Sequence, residues 1–112
     1  MRIGTDIVEV DRIKQAIEKN NNFKEKVFTK AEIKYCENKK NKYESYSGRF
    51  SAKEAFVKAL GTGFTDDISF LDIEILNDEN GKPCINYKGK NYDVSISHEK
   101  RYAIAMVLIE SL

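Results

Sequence analysis

Ile3, Ile7 and Val8, with little helical signal around them, predict a first strand over residues 2–8 that ends close to a carboxylate, Asp6. Asp11 is then placed to cap a helix in which Ile13, Ala16 and Ile17 fall at i, i+3 and i+4, and the run Asn20-Asn21-Asn22 stops it. Thr29 followed by Glu32 is a capping-box pattern, so a second helix is expected from about residue 30 towards residue 39, with a polar loop over residues 38–41. Over residues 43–60 Tyr46, Phe50, Val57 and Leu60 recur at helical spacing, Ala52, Ala55 and Ala59 permit close packing, and Gly61 is available as a left-handed terminator. That segment is the expected central helix.

Beyond Gly63 the period changes to two. Ile73 and Ile75 mark one strand, residues 78–81 a turn, and Cys84, Ile85 and Tyr87 a second strand that begins at Pro83, where a missing N–H is tolerated. Lys88-Gly89-Lys90-Asn91 reads as a turn, Tyr92, Val94 and Ile96 as a third strand, and residues 102–109 as a fourth, with residues 98–101 as the connection. The order is a strand, helices, then an antiparallel strand meander, which is an α+β fold expected to occupy residues 1–112 as one domain without repeats or linkers.

Composition narrows the class. Hydrophobic residues make up 41% of the 112, with six Phe and six Tyr, too much apolar surface for a disordered chain. The longest apolar stretches fall short of the ~20 residues that cross a bilayer. No basic-then-apolar leader opens the chain, so membrane-spanning and secreted readings are set aside. Cys36 and Cys84 have neither CxxC spacing nor His neighbours, which points to reduced thiols in a cytoplasm rather than a metal cluster. Net charge is only +1, but residues 19–42 hold eight Lys against three Glu, while residues 64–81 hold six acids and no base. Such a basic stretch is either a solvated helix face or a surface for an acidic macromolecule.

Three places carry polar residues the fold alone does not require. In Gly4-Thr5-Asp6-Ile7-Val8-Glu9 a carboxylate sits inside an apolar strand, where burial without a partner is costly; it either reaches solvent or a helix end, or serves a metal or phosphate site. Arg49-Phe50-Ser51-Ala52-Lys53-Glu54-Ala55-Phe56-Val57-Lys58 places Arg49, Lys53 and Glu54 near one another on the central helix, with Glu54 one turn before Lys58. An ordinary i,i+4 ion pair accounts for that spacing; so does a carboxylate holding a divalent ion while cations neutralise phosphate oxygens. Ser95-Ile96-Ser97-His98 ends a strand with two hydroxyls and the one histidine, which is either a surface residue or a hydrogen-bond donor beside a phosphate. Gly61-Thr62-Gly63 matches no phosphate loop.

Together these segments, with Phe28-Thr29-Lys30-Ala31-Glu32 and Lys58-Ala59-Leu60-Gly61-Thr62-Gly63, resemble the holo-acyl-carrier-protein synthases, the small bacterial 4′-phosphopantetheinyl transferases, in the family's order and over nearly the whole chain. The resemblance implies transfer of the phosphopantetheine arm of coenzyme A to a serine hydroxyl of acyl carrier protein in support of fatty acid biosynthesis, with release of adenosine 3′,5′-bisphosphate. It implies Mg²⁺ held by Asp6 and Glu54, Lys58 on the phosphates, and Arg49 and His98 beside coenzyme A. It also implies a homotrimer with sites between subunits. Glu54 and a metal-bound water stand as alternative bases for the serine proton. Carrier proteins of this kind are acidic, so Arg12, and more weakly Lys14, on the first helix are expected to meet them. The loop between Tyr87 and Tyr92 is shorter than the family's pattern, which bears on the sheet edge and on subunit packing. Neither a nucleic-acid nor a membrane partner is expected. The rival readings are a basic nucleic-acid-binding module, which leaves Asp6 and Glu54 unexplained, and a purely structural interaction domain.

Overall fold

The structure, a computed structural model, describes residues 1–20, 22–65 and 67–111. Strand β1 (Arg2–Glu9) runs without a loop into helix α1 (Val10–Lys19). That direct passage corrects the expected cap. Glu9 occupies the N-cap position, the first helical N–H, on Val10, donates to Arg101 O at 2.8 Å, and Asp11 lies inside the first turn, where it accepts from Gln15 Nε2 at 2.7 Å. Asn20 closes the helix through its N–H to Ala16 O; Asn21 of the expected stop lies outside the described residues. A short helix α2 (Phe23–Val27) follows, then α3 (Lys30–Glu37) with both bonds of the Thr29–Glu32 capping box formed. The polar loop separates it from α4 (Lys42–Leu60), which ends on Gly61 at φ 84. A 3₁₀ turn (Phe70–Asp72) leads into β2 (Ile73–Asn77), β3 (Pro83–Tyr87), β4 (Lys90–His98) and β5 (Tyr102–Ile109).

The strands form one antiparallel sheet in the order β1-β5-β4-β3-β2, so the expected meander is joined at one edge by the first strand returning beside the last. The turn between β3 and β4 is only Lys88-Gly89, with φ of 51° and 77°, the type I′ geometry of a two-residue hairpin; Lys90 and Asn91 already belong to β4. This short turn joins two interior strands, so the sheet edges, β1 and β2, do not depend on it.

Helix α4 packs on one face of the sheet, chiefly on β1 and β5, and is buried on most of its circumference. Close approach is built into the residues: a Cβ on Gly4 would lie 1.9 Å from Ala55 O, and one on Gly48 would lie 2.9 Å from Ile96 Cγ2. One core, around Phe56, Ile73, Ile75, Ile85 and Val107, fills the space between α4 and the sheet. A second, around Ile13, Val27, Phe28, Cys36 and Tyr46, ties α1, α2 and α3 to α4. The opposite sheet face leaves Ile3, Ile7, Ile104 and Met106 exposed.

Candidate active site

Alternation along β1 turns Gly4, Asp6 and Val8 towards α4, and the tight Gly4–Ala55 contact brings Asp6 against the helix. Ser51 Oγ donates to Asp6 O at 3.0 Å, fixing the strand there. Lys58 Nζ lies 3.1 Å from Asp6 Oδ1; the Asp6 side chain is 13% exposed and that of Lys58 55%. Glu54, one helical turn before Lys58, is partly buried. Burial first, and then the Asp6 charge, push its carboxyl above the ordinary value, while Lys58 and Arg12 pull it down. The spacing that admitted an i,i+4 ion pair is therefore used differently: the ammonium of Lys58 bonds across to β1, and its effect on Glu54 is Coulombic.

Asp6 and Glu54 lie within electrostatic range of each other, and two such carboxylates offer a place for a cation. The donor set is oxygen only, and among the described residues no group of three or more His, Cys, Asp and Glu gathers. One or two carboxylates completed by waters and substrate phosphates are what a hard ion such as Mg²⁺ takes, so the residues fit it. Beside them a cleft of about 500 Å³ is lined by Thr5, Asp6, Ile7, Lys58, Ser95, Ser97, Ile104, Ala105 and Met106.

Arg49 and His98 come together elsewhere, in a smaller pocket of about 140 Å³ with Tyr35, Ser45, Asn77, Gly81, Pro83 and Ile96. Alternation along β4 thus divides the Ser95-Ile96-Ser97-His98 segment, its serines lining one cavity and its histidine the other. His98 Nδ1 lies 3.0 Å from Glu44 Oε1. Arg49 is 5% exposed, stacked at 4.0 Å on the Tyr35 ring, and donates through Nη2 to Asn77 Oδ1.

Lys53 does not join either group, correcting the expectation that it neighbours Glu54 in a phosphate site. It points into the core, fully buried, and donates to Glu32 Oε1 at 2.7 Å, Val27 O at 2.7 Å and Phe70 O at 3.0 Å. Arg12 and Lys14 are both exposed on α1 but face different neighbours. Arg12 lies within electrostatic range of Glu54, whereas Lys14 lines a separate cleft of about 420 Å³ with Lys40, Lys42, Lys100, Asp11 and Glu44. Cys36 is buried, which pushes its thiol up to about 12 and makes it an inert core residue. Tyr35, Asn77 and Glu44 stand in none of the segments singled out in the sequence, and only the fold brings them to Arg49 and His98.

A family model described as the 4′-phosphopantetheinyl transferase superfamily matches residues 2–107. A holo-acyl-carrier-protein synthase of Ruminiclostridium cellulolyticum is 51% identical over 97% of this chain and 91% of its own length. One from a Geobacillus strain is 49% identical over 98% of this chain and 96% of its own. Among solved structures, the holo-acyl-carrier-protein synthase of Helicobacter pylori in complex with coenzyme A superposes with a TM-score of 0.86 at 34% identity, covering 95% of this chain and 97% of that one. The Bacillus anthracis enzyme, in complex with CoA (3′,5′-ADP), superposes with a TM-score of 0.82 at 42% identity over 95% and 92%. The chain belongs to the 4′-phosphopantetheinyl transferase superfamily, and within it to the holo-acyl-carrier-protein synthases.

Proposed function

We propose that residues 1–112 form one transferase domain that moves the 4′-phosphopantetheine group of coenzyme A onto a serine hydroxyl of apo acyl carrier protein, dependent on Mg²⁺. The observation that supports this reading is the Asp6–Lys58 pair lining the cleft between β1 and α4, with Glu54 one helical turn away and within electrostatic range of both. In the reaction the serine oxygen forms a bond to the phosphorus that bears pantetheine, the bond from that phosphorus to the bridging oxygen breaks, and adenosine 3′,5′-bisphosphate leaves. Such a transfer needs positioning and charge neutralisation more than covalent help. Asp6 and Glu54 hold the Mg²⁺, which when bound supplies neutralisation of the diphosphate oxygens. Lys58, on the exposed side of the pair, meets the phosphates. Glu54 or a water held by the ion would take the serine proton.

Arg49 and His98 bind coenzyme A in their own pocket, and the exposed cations Arg12 and Lys14 receive the acidic carrier. Copies of the chain associate as a trimer through the apolar sheet face, placing sites between subunits. The setting is cytoplasmic and the product serves fatty acid biosynthesis. The assay incubates the protein with coenzyme A, Mg²⁺ and apo acyl carrier protein and weighs the carrier by mass spectrometry. The expected result is a gain of one phosphopantetheine, lost with a chelator and lost in folded Asp6→Asn and Glu54→Gln variants. An unchanged carrier mass with Mg²⁺ present overturns the reading, and salt-sensitive oligonucleotide binding without coenzyme A affinity would transfer support to a nucleic-acid module.

A further inference from the structure

Resting on the assignment of Arg49 to coenzyme A, we infer that Tyr35 and Asn77 are positioning residues that hold the Arg49 guanidinium ready for a phosphate group of that donor. A guanidinium carries five N–H donors and a permanent charge, and a buried one ordinarily answers a carboxylate. Here the residue is 5% exposed, yet among the described residues no carboxylate oxygen lies within ion-pairing distance of its guanidinium. What holds it is neutral. The Tyr35 ring lies against its face at 4.0 Å, Asn77 Oδ1 accepts from Nη2, and its Nε is buried with no partner.

The orientation of Asn77 is itself dictated. Its Nδ2 donates to Gly81 O at 3.0 Å, which leaves the oxygen to face Arg49. The turn behind it is braced, since Asp78 Oδ1 accepts from Asn80 N at 2.8 Å and Lys82 N at 2.9 Å. Tyr35 carries a second cation, with Lys39 Nζ 4.6 Å from the same ring centroid. Two cations sharing one ring repel each other, and His98, which lines the same pocket, faces the Glu44 carboxylate instead of Arg49. A preorganised cation held by neutral partners, with a second cation on the same ring, is an anion subsite whose charge these partners leave uncompensated.

A purely structural stack predicts a different response to charge. Asn77→Asp keeps an acceptor for Arg49 but supplies the missing carboxylate, which competes with a phosphate. Coenzyme A titration by calorimetry is therefore expected to show about a tenfold weaker affinity for Asn77→Asp. Tyr35→Leu should weaken binding comparably, and Tyr35→Phe, which keeps the ring, should bind as the wild type does. In turnover assays the loss should fall on KM for coenzyme A, with kcat and the carrier KM unchanged, and circular dichroism confirms that each variant is folded. Wild-type affinity in both Asn77→Asp and Tyr35→Leu, or a loss in Tyr35→Phe equal to that in Tyr35→Leu, overturns the inference. Failure of the wild type to bind coenzyme A removes the functional reading, and this inference with it.

Discussion

Glu37, at the end of α3, collects three donors: Tyr46 Oη at 2.6 Å, Lys24 Nζ at 3.2 Å and Lys42 Nζ at 3.3 Å. The Tyr46 hydrogen bond first, and then the two ammonium groups, hold its carboxyl below the ordinary 4.5 against the opposing effect of partial burial. Burial, with Glu37 beside it, pushes the Tyr46 phenol up, so it remains a donor at every relevant pH. A carboxyl with a lowered folded pKa binds fewer protons folded than unfolded. The stability it lends is complete above 4.5 and lost as pH falls through the folded value. Glu37→Gln should therefore melt below the wild type near pH ~7, with the difference closing as the pH drops through the carboxylate range in a thermal scan. Because 36% of the side chain is exposed, the effect should stay under about 1 kcal/mol. Single residues of the site differed in legibility for a related reason. Asp6 stood out because charge inside an apolar strand is costly and asks for a purpose, and Glu54 because it falls one helical turn before Lys58. Tyr35 and Asn77 are ordinary residues of a helix and a strand end, and only the fold turns them towards Arg49.

Among the elements, α4 and the strands were legible because each has a run long enough to show its period. Helix α2, five residues long, was not, since periodicity needs more than one turn. The capping box of α3 was readable, but not the second use of its acid. Glu32 is buried at 1% exposure, accepts from Thr29 N and Lys53 Nζ through Oε1, and accepts from Ile75 N at 2.8 Å through Oε2. One carboxylate thereby joins α3, α4 and β2, and Lys53 extends the joint to α2 and the 3₁₀ turn. Burial lowers the Lys53 ammonium's pKa and Glu32 opposes that shift. Lys53→Met leaves a buried carboxylate without a countercharge and deprives two carbonyls of their donor. The expected loss is about 3–5 kcal/mol in urea unfolding. Adding Glu32→Leu should not restore stability, because the buried Ile75 N–H then loses its acceptor too.

At the scale of the whole molecule, helices cover one face of the sheet and leave the other bare. In β5 Ala103, Ala105, Val107 and Ile109 are buried against the helices, while Ile104 and Met106, on the opposite face, remain 47% and 54% exposed. Ile7 pairs with Ile104 and Thr5 with Met106, so the exposed apolar side chains of the two strands are contiguous. In the sequence this strand is one unbroken apolar run, which says that it is covered but not by what. A strand apolar on both faces is one that is packed on both, and the patch borders the cleft of Asp6 and Lys58. The proposed trimer covers this face with copies of the same chain. Wild-type protein should then sediment as a trimer, and Ile104→Glu, which buries an unpaired charge in the contact, as a monomer that keeps its circular dichroism spectrum. Monomeric wild-type protein would remove the trimer, and an unchanged Ile104→Glu sedimentation coefficient would move the contact to another surface.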